Sequence, residues 1–352
     1  MAHQIVKNVN IVGVTTCVPK NVEENIDLPF FKEGEAEKVI LSTGIERRRI
    51  VDEGVTSGDL CSKAAEDLLS GLGWDKSEVD CLIFVSQTHD YILPATSCVI
   101  QNKLGLPASC CCFDITYGCS GWVYGLSVIS TMLSAGVMKK GLLLVGDTTS
   151  SFKSAKDKTA RPLFGDAGTA TAVEFNTDAD DMYFALYADG SKFDSIIVTD
   201  GGCRKPFSAS SLIETEYEEG VVRTPMHSVM NGMNVFSFGI TRGPEVTVDV
   251  LEFSGHSVED VDYFLFHQAN TFMNEKIRKK LKIDAGKVPY SMKDFGNTSC
   301  ATIPLTIDYA FKSPALLNGK SAVATAFGVG LSWGSVYMRF NDINYLSMID
   351  YE

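Results

Sequence analysis

An α/β fold made of two copies of one unit is predicted by three observations on this 352-residue chain. Short apolar runs rich in β-branched residues alternate with longer amphipathic or small-residue segments, the pattern of stacked strands and helices. A strand, a turn and a small-residue helix occur twice in that order. The first copy is "CCCFDI", "TYG", "CSGWVYGLSVIS", and the second runs from "VPYSMKDFGN" into "TSCATIPLTIDYAF". Each copy then continues into a hairpin-like pair, "GLLLVGD…FGDAGTATAVEF" in one and "SAVATAFGVGLSWGSVYMRF" in the other.

Taken along the chain, the apolar runs predict strands at Ile11–Val14, Cys81–Ser86, Cys110–Ile115, Gly141–Val145 and Ala170–Glu174. The second half offers strands at Tyr183–Ala188, Tyr263–His267, Ala322–Phe327 and Ser335–Phe340. Helical spacing predicts helices over Asp59–Leu72, Ser97–Leu104, Ser120–Ala135 and Thr271–Leu281, with only a helical turn at Ser257–Asp260. The halves divide as 1–178 and 179–352 with no Pro/Ser-rich linker between them, so one fused body is expected. Residues 201–233 are polar and irregular, with few strand signals, and are expected to form a cap-like insertion.

Composition narrows the function classes. With 45% hydrophobic and 21% charged residues, the chain can bury a sizeable core. A net charge of −13 argues against nucleic acid or an anionic membrane as a main partner. The start, "MAHQIVKNVNIVGV", has no long apolar segment behind a basic one, and "GLLLVGD" and "CLIFVSQ" are of strand length. A reducing cytoplasmic setting, with the ten cysteines mostly free, is the expectation. An acidic partner would need a local basic patch, for which "IERRRI" and "EKIRKKLK" are candidates. Either could equally be a solvated face.

Four cysteines crowd into "SCCCFDITYGCSGW". Zinc is disfavoured because Cys110, Cys111 and Cys112 are adjacent, and neighbouring strand residues point to opposite faces. No metal site is expected. Core filling suits these three, since a free cysteine is a small, commonly buried residue. Cys119 differs, because it follows Thr116-Tyr117-Gly118 and opens a helix beginning Ser120-Gly121. Unpaired N–H groups and the positive end of the helix dipole favour thiolate there, which makes Cys119 a candidate nucleophile.

A nucleophile needs partners. His267, in "YFLFHQAN", sits at the end of an apolar strand, and the amides Gln268 and Asn270 beside it favour a polar site over a dry core. Asn297, in "DFGNTSCATIP", holds the turn-then-helix position in the second half that Cys119 holds in the first, although it could equally be only a cap or turn residue. Gly328 and Gly330 flank Val329 after a strand, where glycines let a backbone N–H be aimed at a developing oxyanion.

Together these segments resemble the thiolase superfamily, and most closely the ketoacyl-acyl-carrier-protein synthase III family. The resemblance covers nearly the whole chain: "STGIERRRI", "DITYGCSGWVYGL", "FGDAGTATAV", "MNGMNVFSFGI", "HQAN", "FGNTSCATIP" and "FGVGLSWGSVYMRF" follow in family order. It implies a thiolase-like five-layered α/β/α/β/α fold and a cytoplasmic homodimer. Cys119 then matches the acylated nucleophile, His267 and Asn297 its partners, and the N–H groups of Cys119 and Val329 the oxyanion hole. It further implies acyl transfer from acyl-CoA or acyl-carrier protein to Cys119, then decarboxylative Claisen condensation with malonyl-acyl carrier protein. No metal or redox cofactor is implied.

The chain departs from the family's best-known bacterial members at carrier-facing positions. Lys38 stands where a tryptophan stacks on the CoA adenine, and Lys158 where an arginine holds the nucleotide. Ser237 and Phe272 replace a lysine and an arginine. Substrate contacts are expected at Lys38, Lys158, Gly232 and Asn270, and Lys276, Arg278, Lys279 and Lys280 are candidates for a substitute basic dock for the carrier. These departures point to a specialised paralogue. Two alternatives stay open: an acyltransferase passing the Cys119-bound acyl group to an amine or hydroxyl, and a non-catalytic subunit that binds acyl carriers. Retention of Cys119, His267 and Asn297 together speaks against the second.

Overall fold

The computed structural model describes residues 2–352. Strands β1 (Ala2–Val6) and β2 (Val9–Pro19) open the chain, and a small ribbon, β3 (Val22–Glu24) with β4 (Arg47–Arg49), flanks helix α1 (Glu35–Thr43). The first unit continues through α2 (Ser57–Leu72), β5 (Cys81–Val85), α3 (Thr96–Leu104), β6 (Cys111–Ile115), α4 (Gly121–Ser134), β7 (Lys140–Asp147) and β8 (Ala167–Phe175). The second unit starts at β9 (Met182–Ala188). Four short strands follow: β10 (Ile196–Ile197), β11 (Thr215–Glu218), β12 (Val221–Arg223) and β13 (Val229–Met230). Then come α5 (Gly232–Ser254), β14 (Tyr263–Phe266), α6 (Thr271–Lys280), α7 (Met292–Phe295) and α8 (Thr302–Ala310). The chain closes with β15 (Lys320–Gly328), β16 (Ser332–Phe340) and β17 (Tyr345–Tyr351).

The two large sheets repeat one pattern. In the first, the order β17-β2-β8-β7-β5-β6 contains antiparallel β2/β8 and β8/β7 pairs and a parallel β7/β5 pair. The second, β1-β9-β16-β15-β14, has antiparallel β9/β16 and β16/β15 pairs and a parallel β15/β14 pair. Helices α2 and α3 cover the outer face of the first sheet, α5 and α6 that of the second, and α4 and α8 lie between the sheets. That is the α/β/α/β/α stack, with three layers of helix and two of sheet. The middle layer holds the largest apolar cluster: Trp122, Leu126 and Ile129 of α4 and Ile303 and Ile307 of α8 meet Val145, Leu265 and Val336 from the sheets. Trp122 is wholly buried and gives its Nε1–H to Thr171 Oγ1 at 3.1 Å. Truncating it to alanine is expected to cost about 3–5 kcal/mol.

Several elements differ from the sequence expectation. The first and last strands exchange sheets: β1 pairs with β9 and β17 runs parallel to β2, so neither sheet is drawn from one half alone. The insertion runs up to Asn231 and is more ordered than its composition suggests. It carries the β11/β12 ribbon and ends in β13, which pairs with β10 just ahead of the insertion, and α5 begins at Gly232 inside the range expected to be irregular. Helix α5 escaped notice because Gly239, Gly243 and Pro244 interrupt its pattern. A Cβ at Gly239 would lie 2.6 Å from Met273 Sδ and 2.8 Å from Phe327 Cε2, so the glycine lets the helix press onto α6 and β15. Pro244 withholds the N–H that Ile240 O would accept, and Lys280 Nζ reaches that carbonyl at 3.4 Å instead. The segment Ser257–Asp260 is a turn closed by Asp260 Oδ2, which accepts from Ser257 N and Oγ.

Candidate active site

The turn before α4 is shaped by close packing. Gly121 N donates to Gly118 O at 2.6 Å, and a Cβ on Gly118 would sit 2.2 Å from Gln87 Oε1, so a side chain there would displace the Gln87 amide. Cys119 is lifted onto this turn, 7% exposed, one residue ahead of the N-cap Ser120. From the other half, Gly328 lies directly against it, because a Cβ there would be 2.5 Å from Cys119 Sγ. Ser120 Oγ donates to Ser332 Oγ at 2.7 Å and Ser332 Oγ to Val329 O at 2.7 Å, which ties the helix start to the glycine turn. The N–H groups of Val329 and Cys119 and the hydroxyl of Ser299 all act on the thiol. Cys119 and Val329, expected to form an oxyanion hole, are thus brought together.

The ionisation of Cys119 runs against the helix-terminus expectation. Burial pushes the thiol above its ordinary value, and the Asp147 carboxylate adds to the rise; the Val329, Cys119 and Ser299 donors offset only part of it. Cys119 therefore rests as a thiol. Asp147, at the end of β7, accepts from Gln87 N at 2.7 Å, Ser86 Oγ at 2.9 Å, Thr88 Oγ1 at 3.1 Å and Cys300 Sγ at 3.2 Å.

His267 and Asn297 reach the same place through Ser299 and Thr302. Asn297 Oδ1 accepts from Ser299 N at 2.9 Å, which leaves the Asn297 NH2 group free to donate elsewhere. Ser299 holds a left-handed φ of 54° to make this contact, a costly conformation for a side-chain-bearing residue. Gly296 before it turns at φ 64°, where a Cβ would meet Leu163 O at 2.8 Å. His267 follows β14, its Nδ1 lies 2.8 Å from Thr302 Oγ1, and Thr302 Oγ1 donates to Ser299 O at 3.1 Å. Burial pulls the His267 imidazole down to about 3, so it is neutral across the physiological range. Ser299, Thr302 and Asp147 are the site residues that the sequence left unmarked. Only the positions of the first two, within five residues of Asn297, could have drawn attention to them.

The remaining candidates divide. Gln268 is fully buried, bonded through Nε2 to Phe266 O at 2.7 Å and through Oε1 to Ser291 N at 3.1 Å, and is structural. Asn270 caps α6, its Oδ1 accepting from Met273 N at 2.8 Å, so its carbonyl oxygen is not free for a substrate. Gly232 starts α5 on open surface, and Lys38 is exposed on α1. Lys158 leans on Gly220 of the insertion and faces Glu35 at 3.6 Å. In the basic run of α6, Lys276 lies 5.3 Å from the Phe272 ring centroid, and Lys279 is exposed. Arg278 is committed to Glu275 at 2.7 Å and to Ile283 O at 2.7 Å, and does not serve as an open dock.

Arg47, Arg48 and Arg49 are likewise structural: Arg48 is fully buried against Asn25 and Arg161 O, Arg47 pairs with Glu24, and Arg49 with Asp350. All ten cysteines are free thiols. Cys110 packs into the outer core, while Cys111 and Cys112 are half-buried on the edge strand β6 and not core residues proper. Among the described residues no helix is long and apolar enough to cross a membrane.

Comparison with known proteins bears out the fold and the family resemblance. A family model described as 3-oxoacyl-[acyl-carrier-protein (ACP)] synthase III matches residues 113–190, and the model of its C-terminal part matches residues 251–340. A protein of Campylobacter jejuni is 33% identical over 350 residues, covering 97% of this chain and 96% of its own length. The beta-ketoacyl-[acyl-carrier-protein] synthase III of Caldanaerobacter subterraneus is 31% identical over 333 residues, covering 94% of this chain and 97% of its own. Among solved structures, a 3-oxoacyl-(acyl-carrier protein) synthase from Burkholderia xenovorans superposes with a TM-score of 0.91 at 38% identity, covering 99% of both chains. On the thiolase fold and this full-length similarity, the chain belongs to the 3-oxoacyl-[acyl-carrier-protein] synthase III family of condensing enzymes.

Proposed function

We propose that the chain takes an acyl group from a coenzyme A or carrier-protein thioester onto Cys119 and joins it to malonate carried on acyl carrier protein. The observation that carries this reading is the network centred on Ser299. Its hydroxyl acts on the Cys119 thiol, its N–H fixes the Asn297 amide, and its carbonyl accepts from the Thr302 hydroxyl that contacts His267.

In the first half-reaction Cys119 Sγ bonds to the thioester carbon. The thiol proton passes to His267 Nε2, and the carbonyl oxygen gathers charge against the Val329 and Cys119 N–H groups. Collapse expels the carrier sulfur, which leaves as a thiol with that proton. In the second, the malonyl carbon–carboxylate bond breaks and carbon dioxide departs. The electron pair becomes an enolate whose oxygen accepts from the Asn297 NH2 and from His267 Nε2–H. The enolate carbon attacks the acyl-Cys119 carbonyl, the C–S bond breaks, and the Cys119 thiolate takes one proton from water, the proton consumed by the loss of the carboxylate, as the 3-oxoacyl product leaves. Two half-reactions through one covalent intermediate give ping-pong kinetics.

Lys276 and Lys279, exposed on α6 beside the stacked rings of Phe236 and Phe272, suit an acidic carrier protein. A homodimer is favoured by β6, an edge strand with an unpaired side and half-buried Phe113 and Ile115, and by the exposed Tyr91-Ile92-Leu93 loop. Sedimentation at twice the mass of one chain is the expected result. The condensing reading is tested by intact-mass measurement after mixing with acyl thioesters, followed by malonyl-carrier labelled in its free carboxylate. A Cys119 adduct that is consumed with release of labelled carbon dioxide is expected. Adduct turnover without carbon dioxide would make the protein an acyltransferase instead.

A further inference from the structure

We infer that Lys153 is a recognition site for an anionic acyl group, so that the donor is a thioester whose acyl chain ends in a carboxylate; this rests on the acyl-Cys119 reading above. Lys153 lies in the segment between β7 and β8 and is only 8% exposed. Its ammonium stands 3.8 Å from the centroid of the Phe164 ring and hydrogen-bonds Ser228 Oγ of the insertion. Phe164 is no distant prop. It bridges to Asn297, with Asn297 N donating to Leu163 O at 2.8 Å and Gly165 N to Asn297 O at 3.2 Å. Cys119 and Asp147 are both among the titratable groups near enough to act on Lys153. The cation therefore sits between Ser228 of the insertion and Phe164, the residue that bridges the turn holding Asn297.

What it lacks is a counter-charge. The lysines next to it in sequence have one each, Lys156 with Glu214 and Lys158 with Glu35, whereas Lys153 makes no ion pair among the described residues. Asp157 is taken by Arg223, Thr159 and the Ala160 N–H, and Asp147 by Ser86, Gln87, Thr88 and Cys300. An ammonium has three N–H donors, and one hydroxyl and one ring face leave it under-satisfied. Burying such a cation is expensive, and anchoring the insertion to Phe164 would be done at lower cost by a neutral side chain. Burial brings Lys153 down to about 8, which still leaves it mainly protonated near neutral pH. The missing partner is an anion that arrives with the substrate.

The malonyl carboxylate is the poorer candidate, because a cation that holds it opposes its departure as neutral carbon dioxide. The acyl donor's far end has no such conflict. On acylation the thioester C–S bond breaks, the Cys119 C–S bond forms, the thiol proton leaves with the carrier thiol, and the terminal carboxylate stays unchanged on Lys153.

The test measures the rate of Cys119 adduct formation by intact mass. Succinyl-, glutaryl- and adipyl-CoA are compared with the donors in which the carboxylate is replaced by an isopropyl group, with Cys119→Ala as background. The natural chain is expected to favour a carboxylate donor by about 10- to 100-fold, the range of a charge-assisted hydrogen bond. Lys153→Met should erase that preference without slowing the neutral isostere, and Lys153→Arg should keep part of it. Equal rates for the two donor types overturn the proposal, as does a Lys153→Met variant that slows both alike or changes only malonyl use. Adducts from neutral donors alone sink the Lys153 assignment and leave the condensing function standing. No adduct from any donor sinks both.

Discussion

In the first half of the molecule the turn at Gly118, ahead of α4, delivers a thiol; in the second the turn at Gly296, ahead of α8, delivers an amide, with an imidazole beside it from β14. The two sheets share an antiparallel, antiparallel, parallel core of four strands, and the two turns meet where Gly328 and Ser299 approach Cys119. Burial then acts on the two sides in opposite directions. It raises the proton affinity of the Cys119 thiol and lowers that of the His267 imidazole, and both rest uncharged. Thiolate and imidazolium are therefore not standing features of the site. In the reaction proposed above, charge separates only when a thioester carbonyl lies against the Val329 and Cys119 N–H groups, which would stabilise the developing oxyanion.

The largest expected effects break the division between the halves. Cys119→Ala should give no acyl adduct and lose at least about 10⁴-fold in condensation. Asn297→Ala should still accumulate the acyl adduct while condensation falls about 10²- to 10³-fold, the effect of removing one oxyanion donor. Stopped reactions analysed by intact mass read both steps. An Asn297→Ala enzyme unable to form the adduct would show that the second half also serves the first step. Gly328→Ala probes the seam from the opposite side, since its Cβ would lie 2.5 Å from Cys119 Sγ. Displacing the sulfur by a fraction of an ångström to an ångström should slow acylation by up to about 10²-fold. Unchanged acylation would mean that the close contact does not set the thiol's position.

The same comparison explains what the sequence made legible. Helix α2 was readable because its ends are written in local chemistry, with a Thr56/Asp59 capping box and Gly73 in the left-handed region. Its counterpart α5 was not, because Gly239, Gly243 and Pro244 answer to Phe327, Met273 and α6, partners distant in the chain. Strands β1 and β17 were missed for a related reason, since their partners lie in the opposite half. Cys119, His267 and Asn297 were marked by turn, strand end and motif. Ser299, Thr302 and Lys153 carry no such mark, because a hydroxyl or an ammonium becomes significant only through what surrounds it. The tethering of Cys119 to a helix start was legible; the burial that overrides the dipole was not.

A smaller effect sharpens the contrast in protonation. The folded imidazole of His267 binds a proton only near about 3, below the ordinary value of 6.5 that the unfolded chain retains. Its contribution to stability is therefore intact above pH 6.5 and is lost as pH falls from there toward 3. The slope this adds is about 1.4 kcal/mol per pH unit at most. Denaturant titrations of the natural chain and of His267→Gln at pH 7, 6 and 5 should converge as the pH drops, with the natural chain losing the more. Parallel curves would mean that His267 is not held neutral by the fold.

The smallest effect concerns Thr302, whose single hydroxyl proton has two acceptors within reach: His267 Nδ1 at 2.8 Å and Ser299 O at 3.1 Å. Donating to Ser299 O, the hydroxyl accepts from Nδ1–H and leaves Nε2 as an acceptor, the form suited to taking the thiol proton. Donating to Nδ1, it leaves the proton on Nε2, the form suited to the enolate oxygen. One rotating hydroxyl thus supports both tautomers, and hydroxyl reorientation is fast beside any chemical step. Thr302→Val keeps the shape and removes both bonds, so each half-reaction should slow by about 5- to 10-fold, the worth of one hydrogen bond near 1 kcal/mol. Thr302→Ser should restore both rates. A slowdown confined to condensation would show that the hydroxyl serves one tautomer only, and that the proton of Cys119 leaves by a route that does not need Nε2.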